Sequence, residues 1–287
     1  MCTGPPTRHA FLLAAAATPF AASLAFAEDA ASIPLDLSRG QPRVRLFING
    51  ADQGEAIFDT GASGSAIHRP LAEQLNLPNE GMAGVRSGAG GETVEGFMTT
   101  VANAAINGVA VPDFRAIAIP MLRPDTVAVL SANIFTGNLL LLDFQNARMQ
   151  PIAKSPATIP TSEATPYDDG PRPLPSIWVT LPGDVRLLAH LDTGSPASLA
   201  LPREMADTLP LSTPLVEAGR ARLINGERTL YRATLNGAAQ VGPLTIANPE
   251  LTFMEGLPHG NVGMALLRQL NITLDPAERR LWAAQHA

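Results

Sequence analysis

The chain has 287 residues, 46% hydrophobic and 16% charged, with a formal net charge of −6. That is enough apolar material for one large domain or two of ordinary size. Its arginines are scattered and Lys154 is its single lysine, so no basic stripe exists to follow phosphates and a nucleic-acid partner is not expected.

At the N-terminus, Arg8 and His9 precede an apolar run that opens with Phe11-Leu12-Leu13 and closes at Ala25-Phe26-Ala27. A positive region, an apolar region and a small-x-small site read as a signal peptide over residues 1–27, cleaved near Ala27. Pro19 interrupts the run, which is short for a stable membrane span. Cleavage leaves 260 residues (287 − 27) and removes Cys2, the sole cysteine, and Arg8, taking the charge to −7 (−6 − 1). The mature chain is expected to be secreted or periplasmic, free of the membrane and without a disulfide framework.

Beyond the leader, 24 Gly and 26 Pro with few long helical periods point to short strands and many turns, a mainly β chain. Residues 151–176 contain seven prolines among Ser, Thr and Asp and read as an extended linker. It divides the mature chain into an N-terminal lobe, 28–150, and a C-terminal lobe, 177–287. Residues 28–41 form a short arm ahead of the first lobe.

The two lobes repeat one pattern. Val44-Arg45-Leu46-Phe47-Ile48 turns at Asn49-Gly50 into Ala56-Ile57-Phe58-Asp59-Thr60-Gly61. Ile177-Trp178-Val179-Thr180-Leu181 turns at Pro182-Gly183-Asp184 into Leu188-Ala189-His190-Leu191-Asp192-Thr193-Gly194. Both read as β-hairpins whose second strand ends in Asp-Thr-Gly. A short helix is expected after each, at Pro70–Leu75 and Pro202–Asp207. Glycine-bearing hairpins follow at Ser87–Gly91 and Asn225-Gly226. Each half closes on an apolar strand ending at Asp143 or Asp275, which lie 84 and 83 residues past Asp59 and Asp192 (143 − 59; 275 − 192). A duplicated unit explains this better than two unrelated domains.

One Asp-Thr-Gly triplet is weak evidence; two at matching points of a repeat carry a specific chemistry. If the triplet strands meet at a pseudo-twofold axis, the carboxylates of Asp59 and Asp192 sit too close for both to ionise and share one proton. The ionised member can activate water and the protonated one can polarise a carbonyl, with neither metal nor cofactor required. Gly61 and Gly194 allow close backbone approach, and the Thr60 and Thr193 hydroxyls can bond the facing lobe.

In the segments Ala56–Ser63, His190–Ser195 and Asn261-Val262-Gly263, the chain resembles the pepsin/retropepsin superfamily of aspartic peptidases, in the bacterial form with two retropepsin-like lobes on one polypeptide. The resemblance covers roughly Val44–Gln150 and Ile177–Ala283. It implies two pseudo-symmetric acid-protease β-barrel lobes, each with a short helix, and an aspartic endopeptidase acting on peptide or protein substrates. Asp59 and Asp192 would be the catalytic pair, supported by Thr60, Gly61, Thr193, Gly194 and Ser195. The hairpins at Ser87–Gly91 and Asn225-Gly226 would be flaps. An internal pseudo-dimer is expected rather than a homodimer, although the linker is long enough for either.

Several positions depart from that pattern. Ser131 stands where the second half has Gly263, and neither hairpin tip is aromatic, since Tyr231 lies past its turn. His190, two residues before Asp192, would share its face of the strand. It reads as a histidine bonded to backbone or solvent, or else as a cation tuning the pair. Ala62 occupies the place of Ser195; a hydroxyl at Ser195 bonded to its carboxylate would leave the shared proton on Asp59. His68, His190, His259 and His286 show no zinc-ligand spacing. The alternative function is a catalytically silent peptide- or protein-binding relative of the same fold.

Overall fold

The computed structural model describes Met1 and residues 31–120, 125–167 and 174–286. The signal-peptide expectation, apart from Met1, lies outside the described residues. The first half comprises β1 (Ile33–Pro34), β2 (Arg43–Ile48), β3 (Ala51–Asp59), β4 (Ser65–His68), α1 (Arg69–Gln74), β5 (Met82–Ser87), β6 (Gly90–Val101), β7 (Ala104–Ile106), β8 (Val109–Ala110), β9 (Phe114–Ile119), β10 (Ala128–Ser131), β11 (Asn138–Asp143) and β12 (Arg148–Ala153). The second comprises β13 (Thr165–Pro166), β14 (Ser176–Leu181), β15 (Val185–Asp192), β16 (Leu199–Pro202), β17 (Val216–Leu223), β18 (Gly226–Thr234), β19 (Ala238–Val241), β20 (Leu244–Ala247), β21 (Glu250–Met254), β22 (Gly260–Gly263), α2 (Met264–Leu267), β23 (Leu270–Asp275) and β24 (Arg280–Gln285).

The duplication read from the sequence is a duplication of topology. One nine-stranded sheet runs β5-β6-β9-β4-β10-β3-β2-β7-β8 and the other β17-β18-β21-β16-β22-β15-β14-β19-β20, the same order strand for strand. Local sequence sets the pieces. Asn49 and Gly50 both take positive φ (52° and 78°), the conformation a two-residue hairpin between β2 and β3 needs. In β14, Ile177, Val179 and Leu181 face the core, while Trp178 points outward under the guanidinium of Arg186, 4.0 Å from its ring centre.

A third, six-stranded sheet joins the lobes in the order β1-β12-β11-β23-β24-β13. At its centre β11 and β23 pair antiparallel, with Leu140 opposite Leu274 and Leu142 opposite Ile272, all fully buried. Each such side chain taken out of water contributes about 2 kcal/mol. The sequon-like Asn271-Ile272-Thr273 falls inside this sheet, with Thr273 buried.

Two expectations change at this sheet. The described part of the proline-rich segment up to residue 167 does not run free between the lobes: its first residues complete β12, and Thr165–Pro166 pairs with β24 just as Ile33–Pro34 pairs with β12. Proline is tolerated because Pro151 lies past the end of the β1 pairing and β13 is an edge strand. The segment is also anchored by Trp282 Nε1, which donates to the Ser162 carbonyl (3.0 Å). The arm before the first lobe is likewise docked, through β1 and through Arg268, which donates to the Leu37 carbonyl (2.6 Å). Of the two expected helices, the first is α1; the second is a 3-10 turn over Arg203–Asp207, a single short turn after the end of β16.

Candidate active site

The parallel pairings of β3 with β10 and of β15 with β22 carry the triplets to the junction of the lobes. Asp59 lies opposite Ser131, and Asp192 opposite Gly263. Each triplet threonine then reaches across. Thr60 Oγ1 donates to the Leu191 carbonyl (2.5 Å) and accepts from Thr193 N–H (3.2 Å). Thr193 Oγ1 donates to the Phe58 carbonyl (2.8 Å) and accepts from Thr60 N–H (3.0 Å). Both threonines are buried, so four bonds shielded from water lock the strand ends together.

Glycine is required at the next position by contact. A Cβ on Gly61 would lie 2.9 Å from Oδ1 of Asp192 and 3.2 Å from Oδ1 of Asp59. One on Gly194 would lie 2.6 Å from Oδ2 of Asp59. The two carboxyl groups therefore converge on one place, each cradled by the opposite lobe's glycine. Gln41, from the segment ahead of β2, donates its side-chain amide to the Gly194 carbonyl and so ties the arm to the opposite triplet. Nothing in the local sequence around Gln41 marks that contact.

The environments of the carboxyls differ. Asp59 Oδ1 accepts from Gly61 N–H (2.8 Å) and Gly194 N–H (3.3 Å). Asp192 Oδ2 accepts from Asn261 Nδ2 (3.0 Å). Asp192 keeps some surface open to the cleft, yet protein encloses it on its other sides. That burial, and then the charge of Asp59, push its pKa up to about 8 against the pull of the Gly194, Ser195 and Asn261 bonds. Both effects favour the protonated form of Asp192. The Ser195 hydroxyl accepts from Ala197 N–H (3.3 Å).

Ser131 is accommodated by a different loop geometry. Its Oγ donates to the Ala62 carbonyl (2.7 Å) and accepts from Asn133 N–H (3.3 Å). At Gly263 the corresponding loop is tighter, and a Cβ would fall 2.4 Å from the Ala197 carbonyl oxygen and 2.8 Å from that of Ser195. The substitution of serine for glycine thus tracks the space each loop leaves.

Both expected flap hairpins are present, as β5–β6 and β17–β18, and their tips meet. Asn225 Nδ2 donates to the carbonyls of Gly90 (2.7 Å) and Glu92 (2.8 Å). Ala89 packs with Ala200, Met254 and Leu257 of the other lobe. Tyr231 is no flap-tip aromatic: it pairs with Phe253 across β21 and lies beneath Arg203, 5.4 Å from its ring centre. The fold does bring together two histidines whose spacing looked unrelated, His190 and His259, with ring centroids 5.0 Å apart. Among the described residues no group of three or more His, Cys, Asp or Glu is placed to hold a metal ion.

Two mirrored lobes, a sheet shared beneath them and paired aspartates at a threonine-locked junction define the two-lobed, retropepsin-like class. The aspartyl protease family model matches residues 44–134 and 178–266, one segment in each lobe. The chain belongs to the aspartyl protease family. None of the curated proteins compared with the chain matches it.

Proposed function

We propose that the protein is an aspartic endopeptidase in which Asp59 and Asp192 act as one unit. The observation that carries this reading is the convergence of the two carboxyls on the place a Gly61 Cβ would occupy, under the four-bond threonine lock. With the proton on Asp192, Asp59 is the base. It takes a proton from a water whose oxygen attacks the substrate carbonyl carbon, while Asp192 gives its proton to the carbonyl oxygen. In the second step the carbon–nitrogen bond breaks. The amine leaves with the proton held by Asp59, and Asp192 recovers its own from a hydroxyl of the diol, so the pair is restored and a carboxylic acid and an amine are released.

The leader read over residues 1–27 supports a secreted or periplasmic location. The duplicated lobes support a monomer, since one chain supplies both aspartates. Incubating the mature protein with a diverse peptide library between pH 3 and 8, beside Asp59→Asn and Asp192→Asn, tests the function. Cleavage lost in either variant and blocked by a statine-type inhibitor is the expected result. Peptide binding without cleavage at any pH, unaffected by both substitutions, would instead make the chain a silent binding relative.

A further inference from the structure

The two halves of the cleft floor match in backbone and differ in chemistry. Counting back two from each aspartate along β3 and β15 gives Ile57 and His190; alternation in a strand puts each on its aspartate's face. The neighbouring strand repeats the contrast. Val129 pairs with Ile57, and Asn261 pairs with His190, both in parallel register. Residues paired in this way project to the same side of a sheet, and Asn261 does so visibly, since its amide reaches Asp192. Two residues further back lie Val127 in the first half and His259 in the second. The His259 ring meets His190 at 5.0 Å, tilted by 50°.

The position of this second wall is fixed by close packing. A Cβ at Gly260 would lie 2.9 Å from Leu187 Cδ1 and 3.1 Å from Ala189 Cβ, so β22 is pressed onto β15. Glu255, the acid in the same loop as His259, is turned toward the Tyr231 hydroxyl, which donates to it at 3.5 Å. His259 is exposed and His190 partly so. Imidazole N–H groups and the side-chain amide of Asn261 are hydrogen-bond donors, which suits them to a carboxylate acceptor in the cleft.

A substrate whose scissile carbonyl sits at the two aspartates must lay the side chains flanking that bond against these walls, because two residues along a strand span only about 7 Å. We infer that the cleft discriminates by side: the wall built from His190, His259 and Asn261 takes an acidic substrate side chain, and the wall built from Ile57 and Val129 takes an apolar one. The substrate class is thus a peptide with Asp or Glu on one side of the cut bond and an aliphatic residue on the other. This deepens the peptidase reading and rests on the same site.

The test separates the two. Statine-core peptides, which occupy such a cleft without being cut, are made with Glu or Leu at each flanking position in turn, and their affinity for the mature protein is measured at pH 5. At one position Glu is expected to bind about tenfold more tightly than Leu, and at the other Leu more tightly than Glu. His259→Leu, at an exposed position, and His190→Leu, which makes that position aliphatic like Ile57, should each erode the Glu preference. His259→Glu should turn it toward Lys. A Leu preference at both positions, or a Glu preference unmoved by all three changes, overturns the inference even if the enzyme cleaves peptides. A Glu preference in a protein that cuts nothing would uphold the wall and sink hydrolysis. Failure to bind any of these peptides would overturn both.

Discussion

Lys154, the only lysine in the sequence, places its ammonium 2.6 Å from Oδ1 of Asp275 on the shared sheet. Lys154 follows β12 of the first half and Asp275 ends β23 of the second, so the pair spans the lobes. Asp275 is fully buried, Arg280 stands 3.6 Å from its other oxygen, and Glu278 N–H donates to Oδ1 (3.0 Å). Lys154→Met would leave that buried carboxylate with weaker partners, at a cost of about 1–3 kcal/mol, below the full value for a buried pair because other donors remain. Urea denaturation measures it, and Lys154→Arg should recover most of the loss.

Thr193→Val removes a hydroxyl that both donates to the Phe58 carbonyl and accepts from Thr60 N–H. Both partners are then stranded out of water, and the loss is expected to be about 2–4 kcal/mol. Unchanged chemical denaturation of this variant would show that the threonine lock carries little of the junction's stability.

Gly194→Ala would press a methyl group to within 2.6 Å of Asp59 Oδ2. A displaced base misses its water, so kcat is expected to fall about 100-fold. Circular dichroism should show the fold retained, because the clash is with a side chain and not with the core.

Folding raises the Asp192 pKa from 3.8 to about 8. Between those values the unfolded chain has released a proton that the folded chain still holds. The stabilisation from this group is therefore complete below pH 3.8 and fades as pH rises through 8. Asp192→Asn removes the dependence. Relative to the unsubstituted protein, its denaturation midpoint should be higher at pH 7 than at pH 4.

Asn225→Ala cuts both hydrogen bonds between the hairpin tips. At about 1 kcal/mol net each, their loss should raise the open population at least tenfold. Hydrogen–deuterium exchange at residues 88–92 should accelerate accordingly, while exchange in β11 and β23 stays slow.

Much of the fold was legible because its signals are local. Asn49-Gly50 names its own turn, β14 alternates inside and out, and the two triplets mark matching strand ends. The contacts that escaped are those between residues far apart in sequence. Asn225 meets Gly90 at a separation of 135, and nothing near either residue announces the other. Strand β13 is two residues long and contains a proline, too short for any period to show. A serine at the right offset says nothing of where its hydroxyl turns, and that of Ser195 accepts from Ala197 N–H. His190 and His259 became neighbours only once β15 and β22 lay side by side.

The shared sheet also sets a timetable. Its central pair joins residues 138–143 to 270–275, contacts across nearly half the chain, and such long closures form slowly. A growing chain can carry both triplets for many residues before β22 and β23 exist to brace the second one. A product truncated ahead of Leu270 should therefore retain both Asp-Thr-Gly sequences and show no hydrolysis.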